Sequence, residues 1–126
     1  MIRLGRMDQV YIKGVAPELR DLDVYLTEER KRHIIEHHPE TEKMMDMLSG
    51  VIENPDFTQR NRKQYAIRFY KFYKELKVGE RNLHNKFLMC IVRLNVNLPS
   101  GYRNSVITFH LLSEPKGGEI IWQRGS

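Results

Sequence analysis

The chain has 126 residues, of which 40% are hydrophobic and 29% charged, so we predict a single domain over residues 1–126 with no room for a second one. It carries 21 Lys and Arg against 16 Asp and Glu, and its only cysteine, Cys90, excludes an intramolecular disulfide and a thiolate metal cluster. The apolar run from Phe87 to Val92 is far shorter than the roughly 20 residues that cross a bilayer, so we expect a cytoplasmic protein with no membrane partner.

The first 25 residues predict an irregular lead-in with one short strand or one turn of helix, because glycine and proline interrupt their weak apolar alternation. At Thr27 a helix start becomes clear, since a threonine N-cap is followed by two acidic residues that favour the positive end of a helix. Pro39 stops this helix, which we predict over about 28–37.

A second helix is predicted between Thr41 and Asn54, because apolar residues recur there with the 3.6-residue period of a helix. The following residue, Pro55, ends it. Residues 26–54 therefore form a predicted helical region with an apolar stripe that another surface must cover.

Beyond Pro55 the apolar residues alternate, which is typical of strands. The strand-like segments are Phe57–Arg60, Gln64–Phe72, Lys86–Val96, Ser105–Leu112 and Glu119–Gln123, and Lys74–Lys86 is predicted as a long hairpin insertion. Helices followed by a run of strands predict an α+β fold. We expect two N-terminal helices packed on one face of a four- to five-stranded antiparallel sheet over residues 56–123.

Strand parity predicts which side chains share a sheet face. The segment Lys86–Val96 has apolar residues at both odd and even positions, so both of its faces are expected to be buried at the centre of the sheet. Arg68 and Tyr70 share one face of their predicted strand, and Thr108 and His110 share one face of another. If the helices cover the opposite face, these four side chains lie together on the open one.

The stretch from His33 to Pro39 holds three imidazoles near a predicted helix end. Imidazoles titrate near neutrality, which suits acid–base catalysis. His38 precedes the proline, so it is pushed out of the helix at an end that favours a charged ring. The spacing of His33, Glu36 and His37 also matches, weakly, an inverted zinc-protease motif. A polar surface helix is the simpler alternative.

A basic and aromatic series follows on the predicted strands, and such a series suits a nucleic-acid backbone with bases stacked on the rings. Its members are Arg60, Arg62, Lys63, Tyr65, Arg68, Tyr70, Lys71, Tyr73, Lys74, Lys77 and Arg81. Residues 57–126 hold 13 basic and 4 acidic side chains, against 8 and 12 in residues 1–56. This imbalance favours a nucleic acid as partner, and a solvated hairpin is the alternative interpretation.

A set of short motifs follows along residues 25–123. In chain order they are Thr27-Glu28-Glu29-Arg30, His33-Ile34, His38-Pro39-Glu40, Ile52-Glu53-Asn54-Pro55-Asp56, Arg62-Lys63, Phe69-Tyr70-Lys71, Val106-Ile107-Thr108 and Lys116-Gly117-Gly118-Glu119 with Trp122. The ordered set resembles the phage-associated nucleases of the barnase–EndoU–colicin–RelE-like superfamily. The resemblance implies a metal-independent endoribonuclease that works without a cofactor, often as a toxin. An acidic antitoxin or immunity protein would then be its partner.

We therefore expect RNA cleavage by transesterification, in which a 2′-hydroxyl attacks its own phosphate and the enzyme supplies an acid, a base and cations. The expected catalytic residues are His33 or His38 as the acid–base group, Arg68 as the charge stabiliser and Thr108 as a hydrogen-bond donor to the phosphate. The expected substrate-binding residues are Arg62, Tyr70, Lys71 and His110, with His110 also a reserve acid–base group. The alternatives are a non-catalytic nucleic-acid-binding module, a protein-only adaptor, and a small zinc hydrolase using His33, Glu36 and His37.

Overall fold

The computed structural model describes residues 1–63 and 65–125, and within them seven strands form one mixed sheet. The strands are β1 (Ile2–Arg6), β2 (Asp23–Leu26), β3 (Phe57–Arg60), β4 (Ala66–Val78), β5 (Arg81–Arg93), β6 (Asn104–Leu112) and β7 (Ile120–Gln123). Their spatial order is β1-β2-β6-β5-β4-β3-β7, so β5 is central, as its apolar residues on both parities predicted. Neighbouring strands are antiparallel except β2 and β6, which run parallel.

The predicted architecture of two N-terminal helices on one face of a four- to five-stranded antiparallel sheet is wrong. The segment expected to be an irregular lead-in contributes β1 and β2, which extend the sheet beyond β6. β1 is an edge strand and is mostly exposed. An exposed edge strand buries few side chains, and its sequence therefore lacks the alternation that marks a half-buried strand.

The first helix forms where the sequence predicted it. α1 (Glu28–His37) begins after Thr27, whose hydroxyl oxygen accepts a hydrogen bond from the Arg30 N–H at 3.1 Å. The side chain of Ile34 is buried in the main core, and α1 lies against β6. No helix within residues 1–63 and 65–125 is long and apolar enough to cross a membrane.

The second predicted helix is mostly not an α-helix. Pro39–Met47 forms a 3-10 segment, and Leu48–Glu53 alone forms the short helix α2. At the start of this region the hydroxyl of Thr41 donates to the His38 carbonyl at 2.6 Å. Such a local hydrogen bond competes with regular helical bonding, so the chain turns more tightly here than the apolar period indicated.

The main core lies between one sheet face and a cover formed by α2 and the 3-10 turn Gln9–Tyr11. Its buried members include Tyr11, Ile12, Leu48, Val51, Ile52, Ile67, Phe69, Leu88, Cys90, Val92, Val106 and Phe109. Strict alternation would place Val106 on the same face as Thr108. A β-bulge opposite Ile91 and Val92 inserts one extra residue in β6 and turns Val106 toward the core.

The segment Lys74–Lys86, predicted as a hairpin insertion, is the continuation of β4 and β5 in the same register. Val78 pairs with Arg81, and a two-residue turn with Gly79 at φ 62° joins two strands of 13 residues each. Most side chains here are exposed, so polar residues obscure the strand period. The first residue of the predicted strand Gln64–Phe72, Gln64, lies outside the described residues.

One buried side chain joins β2 to the rest of the sheet. The parallel ladder between β2 and β6 contains two residue pairs. The fully buried Asn104 amide donates to the carbonyls of Asp21 and Asp23 at 2.7 and 2.9 Å, and its oxygen accepts from the Asn95 N–H at 2.7 Å. Because α1 follows β2 after one residue, Asn104 also sets where α1 lies beside β6.

We predict that Asn104→Ala lowers the free energy of unfolding by about 3 kcal/mol, because each buried polar group left without a partner costs about 1–3 kcal/mol. Urea denaturation followed by circular dichroism measures the change. The matched control Asn82→Ala, at an exposed position of β5, is expected to cost less than about 0.5 kcal/mol. Equal stability of the two variants would contradict the role given to Asn104.

Candidate active site

The sheet face opposite the main core, which we call the open face, carries Arg68, Tyr70, Thr108 and His110, as strand parity predicted. Arg68 and Thr108 lie in one row of paired residues, and Tyr70 and His110 lie in the adjacent row. Each row crosses β4, β5 and β6, so its outer members lie about 10 Å apart. The fold thereby places a cation, a hydroxyl and an imidazole on one surface.

A histidine pair lies at the β6 side of the open face. His38 caps the C-terminus of α1, and its ring centroid lies 4.4 Å from that of His110, with an interplanar angle of 33°. Its backbone leaves helical geometry, at φ −134° and ψ 72°, as the following proline predicted. The Nδ1 atom of His38 lies 3.9 Å from Glu40 Oε1, which makes an ion pair when the imidazole is protonated.

The pKa of His110 is lowered from 6.5 to about 4. Partial burial is the main cause, because desolvation penalises the charged imidazolium. Positive charge on His38 and on Lys116 lowers it further. His110 is therefore neutral at pH 7, which is the form that can accept a proton from a substrate.

Arg68 is nearly buried, at 8% exposure, and its guanidinium is held by neutral acceptors. Its Nε donates to Asn61 Oδ1 at 3.0 Å, and its Nη1 donates to Gln59 Oε1 at 3.3 Å and to the Gly117 carbonyl at 3.2 Å. None of the ion pairs within residues 1–63 and 65–125 includes Arg68. A buried cation without a carboxylate partner favours binding of an anion beside it.

The loop between β6 and β7 forms one wall of this site. The Lys116 N–H donates to the Tyr70 hydroxyl at 3.2 Å, and the Lys116 carbonyl accepts from Gln59 Nε2 at 2.8 Å. A Cβ atom at Gly118 would lie 3.4 Å from Arg68 Nη1. The loop therefore approaches the guanidinium closely and brings the Lys116 side chain near His110, where its charge acts on the imidazole.

Two of the residues predicted to bind substrate have other environments. The ring of Tyr70 is fully buried and stacks on Phe57, with centroids 4.6 Å apart, so it offers no surface to a base. Lys71 follows Tyr70 in β4, so its side chain lies on the opposite face of the sheet. Its Nζ donates to the Asn54 carbonyl at 2.8 Å. The structure thus places Tyr70 beneath the site and Lys71 away from it.

His33 and Arg62 lie at the margins of the site. The exposed ring of His33 stacks on His37, with centroids 4.2 Å apart, and His37 Nδ1 lies 2.9 Å from the His33 carbonyl oxygen. Arg62 is exposed in the β3–β4 loop, beside the Asn61 that holds Arg68. Of His33 and His38, the two histidines considered for catalysis, His38 is the one whose ring contacts the sheet.

The zinc alternative requires a set of three or more ligands. Within residues 1–63 and 65–125, no group of three or more His, Cys, Asp or Glu side chains is arranged to hold a metal ion. Cys90 lies in the main core, where burial raises the pKa of its thiol. The arrangement of His33, Glu36 and His37 therefore gives the zinc alternative no support.

Sequence reasoning did not assign Gln59 or Asn61 to the site, although both hold Arg68. A signal was present for Gln59. It shares its strand parity with Phe57, and the register places it opposite Arg68. Residues two apart on a strand share one face, so a polar residue beside an apolar one is expected to be partly buried. A buried polar side chain needs a hydrogen-bond partner on that face.

Comparisons of this chain with protein-family models, with curated proteins and with solved structures gave no match. The likeness to phage-associated nucleases is carried by the ordered motifs alone and stays a prediction.

We predict that His110 makes the protein less stable in acid. The unfolded chain takes up this proton near pH 6.5 and the folded chain only near pH 4, so stability is lost as the pH falls through that window. The variant His110→Gln lacks this titrating group. Between pH 7 and pH 4 the free energy of unfolding of the wild type should therefore fall by about 1–2 kcal/mol more than that of the variant. This difference is smaller than the full pKa shift would give, because the ring is partly exposed to solvent.

Urea denaturation at pH 7 and at pH 4 measures this difference. The control is His84→Gln, an exposed position near the far end of the β4–β5 hairpin, which should keep the pH dependence of the wild type. An unchanged pH dependence in His110→Gln would show that the ring is not desolvated.

Proposed function

We propose that the protein is a metal-independent endoribonuclease that cleaves RNA by 2′-hydroxyl transesterification. The observation that carries the proposal is the contact between His38 and His110 on the same sheet face as Arg68, a nearly buried cation held by neutral acceptors. An acid–base pair and a cation beside a phosphate are the components that this reaction requires.

The reaction needs two proton transfers on opposite sides of phosphorus. The 2′-oxygen attacks the phosphorus while its proton passes to a base, and the bond to the 5′-oxygen breaks as an acid protonates that oxygen. The products are a 2′,3′-cyclic phosphate and a 5′-hydroxyl. The attacking and leaving oxygens lie on opposite sides of the phosphorus, so the base and the acid must reach it from different directions.

The environments of the two rings support different roles. His110 is neutral at pH 7 and suits the base that takes the 2′-hydroxyl proton. His38 forms an ion pair with Glu40 when protonated, and it suits the acid. The phosphate would bind across the edges of both rings, because rings with centroids 4.4 Å apart leave no space for it between them.

Three further side chains would stabilise the negative charge that develops on the phosphate oxygens. Arg68 and Lys116 supply positive charge from the β4 row and from the loop after β6, and Thr108 supplies a hydroxyl donor. Preorganised donors of this kind usually make a large contribution to catalysis of such reactions. A partner with an acidic surface, such as an antitoxin or immunity protein, would cover the same face.

We predict that the wild type cleaves a single-stranded RNA in excess chelator and leaves a 2′,3′-cyclic phosphate. His38→Ala and His110→Ala should each lower kcat by about 10²–10⁴-fold, the usual contribution of general acid–base catalysis. Thr108→Val should lower it less, because one of several donors is lost. Gel analysis of an end-labelled RNA gives the rate, and mass spectrometry identifies the product ends.

His84→Ala is the matched control, because His84 is exposed and distant from the open face, and it should retain the wild-type rate. Salt-dependent RNA binding without any product would favour the non-catalytic binding module. Cleavage that is unaffected by both His38→Ala and His110→Ala would assign the activity to other residues.

A further inference from the structure

The open face continues past the candidate active site into a recess of about 460 Å³, which we call the basic recess. Three cations and a hydroxyl line it: Arg30 from α1, Lys63 from the β3–β4 loop, Arg93 from the end of β5, and Ser105 from β6. Four segments that are distant in sequence therefore converge on one small volume, and three of them contribute a positive charge.

The cations of the basic recess lack carboxylate partners. The ion pairs of arginine within residues 1–63 and 65–125 join Arg3 to Asp23, Arg60 to Glu119, Arg103 to Asp21 and Arg124 to Asp56. Arg30, Lys63 and Arg93 belong to none of them, and no described acidic residue lines the recess. Converging positive charges repel one another, so an anion bound among them would be stabilised.

The position of the basic recess relates it to the histidine pair. Arg93 and Ser105 lie opposite each other in one row of the sheet, and Met89 and His110 in another. Four residues along β5 separate the two rows, a distance of about 13 Å. The row of Arg68 and Thr108 lies between them on the same face. A polynucleotide whose phosphate lies at His110 would therefore pass the recess within one or two nucleotides.

A second cavity, of about 550 Å³, adjoins the basic recess and shares Arg30 and Ser105 with it. Tyr102 lines this cavity, and its side chain is 59% exposed. Tyr70, in contrast, is buried. Exposed aromatic rings next to a positively charged groove are the platforms on which proteins stack unpaired bases.

We propose that the basic recess binds a second phosphate of the same RNA strand and that the next base stacks on Tyr102, so that the substrate is a single-stranded RNA of several nucleotides. The inference rests on the proposed function, which it deepens by naming the substrate class. Lys63 and Arg93 are exposed, which leaves their charges accessible to a flexible single strand.

The test compares a dinucleotide, which has one phosphate between its nucleosides, with a twelve-nucleotide single-stranded RNA. Arg30→Gln combined with Arg93→Gln should raise KM for the longer RNA roughly tenfold with little change in kcat, since contacts made equally in ground and transition states affect binding alone. Cleavage of the dinucleotide should be unchanged. The matched control Arg6→Gln, exposed at the end of the edge strand β1, should behave as the wild type with both substrates.

A binding measurement separates failure of this inference from failure of the proposed function. A 2′-O-methyl oligonucleotide cannot undergo transesterification, so its affinity reports the basic recess even if the protein cleaves nothing. In the double variant the slope of log Kd against log salt concentration should fall by about 1, as for the loss of one phosphate contact. Tyr102→Ala should weaken binding about tenfold and Tyr102→Phe should restore it, because stacking requires the ring and not the hydroxyl.

The inference is overturned if the double variant binds the 2′-O-methyl oligonucleotide with the affinity and salt slope of the wild type. It is also overturned if a duplex of the same length binds as tightly as the single strand. If cleavage is absent and the binding effects persist, the basic recess stands as a single-strand binding site and the proposed catalytic function fails.

Discussion

The buried amide of Asn104 is the constraint on which the arrangement of this protein depends. The ladder between β2 and β6 has two residue pairs, and the Asn104 side chain adds three hydrogen bonds to it. These bonds join Asn104 to the backbone of Asp21, Asp23 and Asn95. Buried polar groups must find partners, so this amide permits a single register for β2. Since α1 follows β2 after one residue, the same register delivers the end of α1 to the edge of β6, and thus places His38 against His110.

The electrostatics of the open face follow from that placement. β4, β5 and β6 present Arg68, Thr108 and His110 in adjacent rows, and the loop after β6 adds Lys116 above them. Burial is the main cause that raises the cost of protonating His110, and positive charge on His38 and Lys116 raises it further. In the proposed reaction, the neutral His110, the His38 ring and this positive charge would act together on one phosphate. The basic recess extends the same positive surface along the sheet.

Local signals predicted the parts of the fold that local interactions control. The threonine N-cap and the proline after His38 bounded α1 correctly, and strand parity placed Arg68 and His110 on the same face. The prediction was wrong about the number of strands and about the second helix, because both depend on partners remote in sequence. β1 has few buried residues of its own, and the 3-10 segment Pro39–Met47 has an apolar period that resembles that of an α-helix.

The sequence by itself determined the first helix, the strand faces and the separation of acidic and basic halves, because capping, periodicity and charge are properties of the local sequence. Tertiary structure alone decided which histidine contacts the sheet, that Tyr70 is buried, and that Arg30 and Arg93 meet in one recess. These facts depend on the order of strands and on the register of β2 against β6. Long-range pairing sets both, through contacts that no local pattern encodes.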